Sequence, residues 1–281
     1  MSALAGERQA RKLGSQWPLT LRAGAALTAL WFLLAVAAPL VAPYDPIAQD
    51  LAVALQGPSF AHPLGTDNYG RDVLSRLIYG ARLDLAMGFV GVLVPFIFGS
   101  MIGLTAGYFG RLVDTLLMRL LDITISFPFF VLVIAIISVL SPGLPSFFIA
   151  VALVGWVSYA RLIRSQTLVL KHSDFVLAAR NLGYGHLRIM LRHILPNAIL
   201  PAVVFSMSDI VLTILLGSSL SYLGLGVQPP TAEWGVMIAD GQTFLASAWW
   251  ICFFPGLAIV VLALGFSLLA DGLAAKLGIR E

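Results

Sequence analysis

Leu85-Ala86-Met87-Gly88-Phe89-Val90-Gly91-Val92-Leu93-Val94-Pro95-Phe96-Ile97-Phe98-Gly99-Ser100-Met101-Ile102-Gly103-Leu104-Thr105-Ala106-Gly107-Tyr108-Phe109 runs without one charged side chain. About 20 apolar residues in a helix cross the hydrocarbon core of a bilayer. This segment is long enough to span, and far longer than the roughly ten-residue alternating strands of a membrane barrel. Gly99, Gly103 and Gly107 recur every four residues, so they share one helix face. Small residues at that spacing let two helices approach closely. They are read as bundle packing. Pro95 and thin faces that let a pore open are the functional alternative.

Five other runs qualify in the same way. They are Leu21–Val41, Leu116–Leu140, Ser146–Gln166, Asn197–Leu220 and Trp249–Leu273. The expected fold is therefore an all-α membrane protein of about six transmembrane helices. Composition agrees, with 59% hydrophobic and 11% charged residues, where a soluble domain carries roughly 25% charge. The mean hydropathy is +0.93. A pI of about 9.2 does not indicate nucleic acid, because the basic residues follow the spans and form no single patch. With a cytoplasmic N-terminus, fourteen of the 17 Lys and Arg fall on the inside. Only Arg71, Arg76 and Arg82 fall outside, so both termini are expected to be cytoplasmic. Residues 1–20 form a cytoplasmic N-terminal segment, and 21–281 the six-span domain. Within it 42–84 is external and 167–196 is a cytoplasmic loop. The N-terminal basic stretch, apolar core and Ala35-Val36-Ala37 resemble a cleavable signal peptide. Ala23–Val41 is nonetheless long enough to span, and a retained first span is expected.

In the external segment, Gly65-Thr66-Asp67 is a turn with helix-capping residues. Val73, Leu74, Leu77 and Ile78 follow as an apolar stripe, with Asp72 and Arg76 placed to pair at i,i+4. This predicts a short helix on the membrane surface or under a partner. In the cytoplasmic loop, Asp174 is placed to cap a helix Phe175–Leu182, which Gly183 ends in a left-handed conformation. A second helix, His186–Leu195, should stop at Pro196. Phe175, Leu177 and Leu182 are apolar residues outside the bilayer. Beside the simpler reading of a solvated loop, they suggest a knob that meets a partner.

Two of these segments and a third carry a family resemblance. Ala178-Ala179, then Gly183, then Ile194-Leu195-Pro196 resembles the cytoplasmic "EAA" motif of permease subunits of ABC importers. His62–Arg82, with Leu64-Gly65-Thr66-Asp67 and Gly70-Arg71-Asp72-Val73-Leu74-Ser75-Arg76, resembles the dipeptide/oligopeptide/nickel permease family. So does Ser221-Tyr222-Leu223-Gly224-Leu225-Gly226-Val227-Gln228-Pro229-Pro230 with Trp234-Gly235. The resemblance covers the chain after about residue 40 and is to the second, C-type permease subunit. It implies a type I importer bundle in a bacterial inner membrane, paired with a second homologous permease, two ATP-binding subunits and an external solute-binding protein. It implies that Asp174, Phe175, Val176, Leu177, Ala178, Ala179, Arg180, Asn181, Leu182 and Gly183 form the coupling helix that docks on the ATPase. Leu177 stands where the motif usually has Glu, which removes a charge contact there and leaves the helix. The implied cargo is di- or oligopeptides; nickel, glutathione or an opine is the alternative.

No G-x-x-x-x-G-K-[ST] phosphate loop occurs, so ATP and its Mg are expected on partner subunits and no cofactor on this chain. The four histidines, His62, His172, His186 and His193, lie outside the spans without ligand spacing, and no metal or catalytic site is expected. Cys252 lies among aromatic residues as a buried, inert thiol. Ser218, Ser219 and Ser221 are read as helix packing. Asp114, Arg119 and Asp122 are read as a salt-bridge set at the membrane edge. Asp209 is a charge inside the fifth span, where a lone charge costs roughly 2.5–3.5 kcal/mol. Two readings stay open. Asp209 lines the solute path, or it is paired with another helix or protonated. A membrane enzyme would need clustered ionisable residues on adjoining spans. A gradient-driven transporter would need internal repeats and acidic residues at mid-membrane. Neither pattern is present.

Overall fold

A computed structural model describes residues 18–278. Arg8, Arg11, Lys12 and Arg280, used in the orientation argument, and most of the N-terminal segment lie outside the described residues. Helix α1 is Leu19–Val36 and α2 is Ala38–Val41, the break at Ala37 falling just before Pro39. An irregular segment with one 3₁₀ turn at Leu51–Val53 leads to α3, Val73–Phe109. Then come α4 (Arg111–Ile125), α5 (Phe129–Leu140) and α6 (Leu144–Leu170). The loop elements are α7 (Asp174–Asn181), α8 (His186–Ile189), a π turn (Met190–Ile194) and α9 (Leu195–Ala198). Helices α10 (Leu200–Tyr222), α11 (Trp234–Gly241) and α12 (Trp250–Leu277) follow. Among the described residues no strand forms, and Thr66 and Asp72 make an isolated bridge.

Among the described residues five helices are long and apolar enough to cross a membrane, and the pair α4–α5 makes a sixth if it is one bent span. The expected third span, Leu116–Leu140, is thus not one straight helix. Its halves meet at 83°. Pro128 offers no N–H and forces Phe127 away from helical geometry, while Ser126 turns its hydroxyl onto Asp122 O, 2.8 Å away.

The most extensive packing joins α3 to α6, and the glycine face read from the sequence makes it. A Cβ at Gly99 would stand 2.3 Å from Trp156 O, one at Gly103 2.3 Å from Ala160 O, and one at Gly107 2.7 Å from Thr167 Cβ. No larger residue fits without moving backbone. A second such contact joins α1 to α12, where a Cβ at Gly24 would meet Leu269 N at 2.6 Å.

Three other expectations are corrected. Val73–Ile78 is not a separate surface helix. It is the start of α3, which runs unbroken for 37 residues, about 55 Å, so residue 84 is no boundary between elements. Asp72 does not pair with Arg76. It caps α3, accepting from Ser75 N at 2.8 Å and Ser75 Oγ at 2.7 Å, and it meets His62 Nδ1 at 2.9 Å. Pro196 does not stop the loop's second helix. It sits in the first turn of α9, where its missing N–H is no loss, and the π turn before it shifts the ladder by one residue.

Candidate functional site

Two adjoining cavities, each about 410 Å³, open beside the elbow of the bent span. They share Phe129, Ser158, Asp209 and Thr213. The geometry follows from the elements. Helix α10 carries Asp209 and Thr213 one turn apart, and α6 carries Ser158 across from them. Phe129, just past the Phe127-Pro128 turn, lines both cavities. Asp209 Oδ2 accepts a hydrogen bond from Tyr159 Oη at 2.6 Å. Tyr159 is itself fully buried, with Phe96 and Phe205 at 5.4 and 5.3 Å in edge-to-face contact. Asp209 therefore bonds to another helix, as one of the two open readings had it, and its side chain also borders a cavity. Tyr159 was missed, although a tyrosine hydroxyl inside a span needs a partner.

At one end of the bundle α7 makes a half-buried knob. Val176 and Ala179 are buried against it, while Phe175, Leu177 and Leu182 are exposed, Leu182 by 72%. The inner side is tied to the end of α3. Tyr108 Oη meets His186 Nδ1 at 2.9 Å, Arg180 lies over the Tyr108 ring at 5.4 Å, and Lys171 Nζ donates to Gly107 O at 2.8 Å. Gly183 has φ +77° and turns the chain after α7, as expected. Ser173, not Asp174, is the N-cap residue, and no side chain caps the helix. Asp174 stands in the first turn, where its charge favours the helix dipole.

At the opposite end two buried arginines meet carboxylates. Arg71 Nε lies 2.6 Å and its Nη2 2.9 Å from Asp67 and Asp240. Arg76 reaches the same two carboxylates at 3.6 and 3.8 Å. Two of the three arginines that ran against the charge rule are thus held in a carboxylate cage. Nearby, Asp84 and Glu233, both with no exposed surface, flank the hydroxyl of Ser218 at 3.2 and 3.1 Å. Glu233 accepts from Gly235 N and Val236 N, and Asp84 from Trp234 N, so both carboxyls hold the start of α11. Ser218 does more than pack. Asp114, by contrast with its expected set, pairs with Arg164 at 2.5 and 2.6 Å, not with Arg119. Residues 114 and 119 are five apart, on different faces of one helix.

The family described as "Binding-protein-dependent transport system inner membrane component" matches residues 99–279. The chain belongs to this family. Among its relatives, the dipeptide transport system permease protein DppC of Alkalihalophilus pseudofirmus is 41% identical over 243 residues, 86% of this chain and 80% of that protein. The probable D,D-dipeptide transport system permease protein DdpC of Escherichia coli is 38% identical over 279 residues, 97% of this chain and 93% of that one. The glutathione transport system permease protein GsiD of Shigella flexneri is 43% identical over 263 residues, 92% and 87% of the two chains. In fold, the chain is similar to the inward-facing MetNI methionine ABC transporter, with a TM-score of 0.58 at 17% identity over 74% of this chain and 98% of that one. This inner membrane component is a multi-pass membrane protein with the type I importer bundle. Asp209 and the α7 knob both lie within the matched region.

Proposed function

We propose that this chain forms one half of the transmembrane path of an ATP-driven importer of di- and oligopeptides. What supports the reading is a cavity with a carboxylate in its wall, in a chain about 40% identical to peptide permeases along most of its length. The second half comes from a homologous permease seated against the cavity's open side. Two ATPase subunits supply the energy, with ATP and Mg bound on them, and an external binding protein delivers the cargo. Both termini and α7 face the cytoplasm of a bacterial inner membrane, and the 42–72 segment faces outward. Residues Asp174–Gly183 are the coupling helix. Its exposed Phe175, Leu177 and Leu182 enter the ATPase, while its tie to Tyr108 passes the movement to α3. Asp209 eases the ammonium group of a peptide along the path without trapping it. Glutathione is a second reading, since GsiD proteins are among the relatives; it too is a peptide with free amino and carboxylate groups.

The test is reconstitution of the complete importer with its binding protein in proteoliposomes. Uptake of labelled di-alanine is expected, and it should require ATP on the side of α7. A complex that hydrolyses ATP yet moves neither di-alanine nor glutathione would refute the reading.

A further inference from the structure

Arg161 remains without an assigned partner. It lines the same 410 Å³ cavity as Asp209, and these two are the charged residues in that lining among the described residues. The rest of the wall is apolar or hydroxylic, with Phe129, Val154, Ser158 and Thr213. Arg161 is exposed, and no described carboxylate lies within ion-pair distance of it. Arg164, one turn further along α6, is a useful contrast, because its guanidinium is occupied by both oxygens of Asp114.

Position on the helix separates the two cavity charges. Tyr159 and Arg161 are two residues apart, about 200° around α6. Tyr159 reaches Asp209, so Arg161 leaves α6 from the other flank of Ser158. The cavity lining thus holds a carboxylate, bonded to Tyr159, and a guanidinium with no described ion-pair partner, carried two residues from Tyr159 on α6. Low-dielectric walls strengthen the field between such charges. An extended dipeptide carries its ammonium and carboxylate about 7 Å apart, and a guanidinium fork matches a carboxylate in two bonds.

We propose that Arg161 and Asp209 form a two-charge filter for zwitterionic peptides, Arg161 receiving the terminal carboxylate and Asp209 the ammonium within one cavity. This rests on the peptide-path reading above. It makes Arg161 a specificity residue, and explains why an arginine is left unpaired one turn from a paired one.

The experiment uses the complete importer with its binding protein in proteoliposomes. Uptake of a dipeptide and of its C-terminal amide is compared for wild type, Arg161→Gln and Arg161→Lys. The binding protein is the same throughout, so its own preference cancels between variants. Arg161→Gln should lower the acid-to-amide ratio about two- to fivefold, the range of an exposed ion pair, and Arg161→Lys should restore most of it. As a second measurement without the binding protein, a photoreactive dipeptide should label the wild-type permease more than its amide does. Arg161→Gln should abolish that difference. An unchanged ratio, or an equal loss for acid and amide, would overturn the filter and place Arg161 at lipid headgroups or in assembly. If the wild-type importer moves no peptide at all, the peptide-path reading falls as well; transport with an unchanged ratio sinks the filter alone.

Discussion

At the residue scale, this chain treats its charges in two ways. The partly exposed Asp114 and Arg164 pair with each other, while Asp67, Arg71 and Arg76 are buried and matched, with the part-exposed Asp240 closing the set. Removing one partner from such a set leaves an uncompensated buried charge and is strongly destabilising. Asp209 is different, for it has one neutral donor, Tyr159, and an open cavity on its other side. Asp209→Asn keeps the size and can still accept from Tyr159 Oη. The variant should assemble with its partners and transport cationic peptides about five- to tenfold more slowly relative to neutral ones, the rate equivalent of ~1–1.4 kcal/mol. Uptake of a lysine-containing dipeptide against di-alanine measures this. Loss of assembly with no change in solute preference would make Asp209 a structural partner of α6 instead.

At the scale of elements, the departures from regular helices carry the consequences. The elbow between α4 and α5 leaves neither half long enough for a ~30 Å core, since 15 and 12 residues rise only about 22 and 18 Å. What it forms is a wall of the cavity. The turn between α7 and α8 depends on Gly183, whose φ of +77° an L side chain adopts at a cost of roughly 1–2 kcal/mol. Nothing lies within 4 Å of a Cβ placed there, so Gly183→Val acts on the backbone and not by a clash. Its expected effect is a misdirected α8 and reduced co-purification of the ATPase subunits, read by pull-down on the tagged permease. A Val variant with full assembly and full peptide uptake would show that this turn does not position the coupling helix.

At the scale of the whole molecule, orientation is the open consequence of the charge pattern. A reporter active only in the cytoplasm should work after Lys171, Arg192 or Arg280 and fail near Gln56 or Glu233. A cytoplasmic signal at Gln56 would overturn the six-span arrangement. The existence of the spans, the glycine face of α3 and the left-handed turn at Gly183 were legible in the chain alone. Each depends on local physics: the length of an uncharged run, the 3.6-residue period, and the one residue type without a Cβ penalty. The resemblance in three separated motifs likewise needed only residues in order. The sequence could not show which carboxylate meets which arginine. Asp72 and Arg76 sit at pairing distance along a helix, yet Asp72 caps the helix and Arg76 turns to Asp67 and to Asp240, far along the chain. Nor could it show that Tyr159 reaches Asp209, that no described carboxylate lies within ion-pair distance of Arg161, or that the helices of the expected third span meet at 83°. Those facts depend on how helices distant in sequence are docked. Docking is decided by the sum of many close contacts, such as Gly103 against Ala160, and no period along one segment records it.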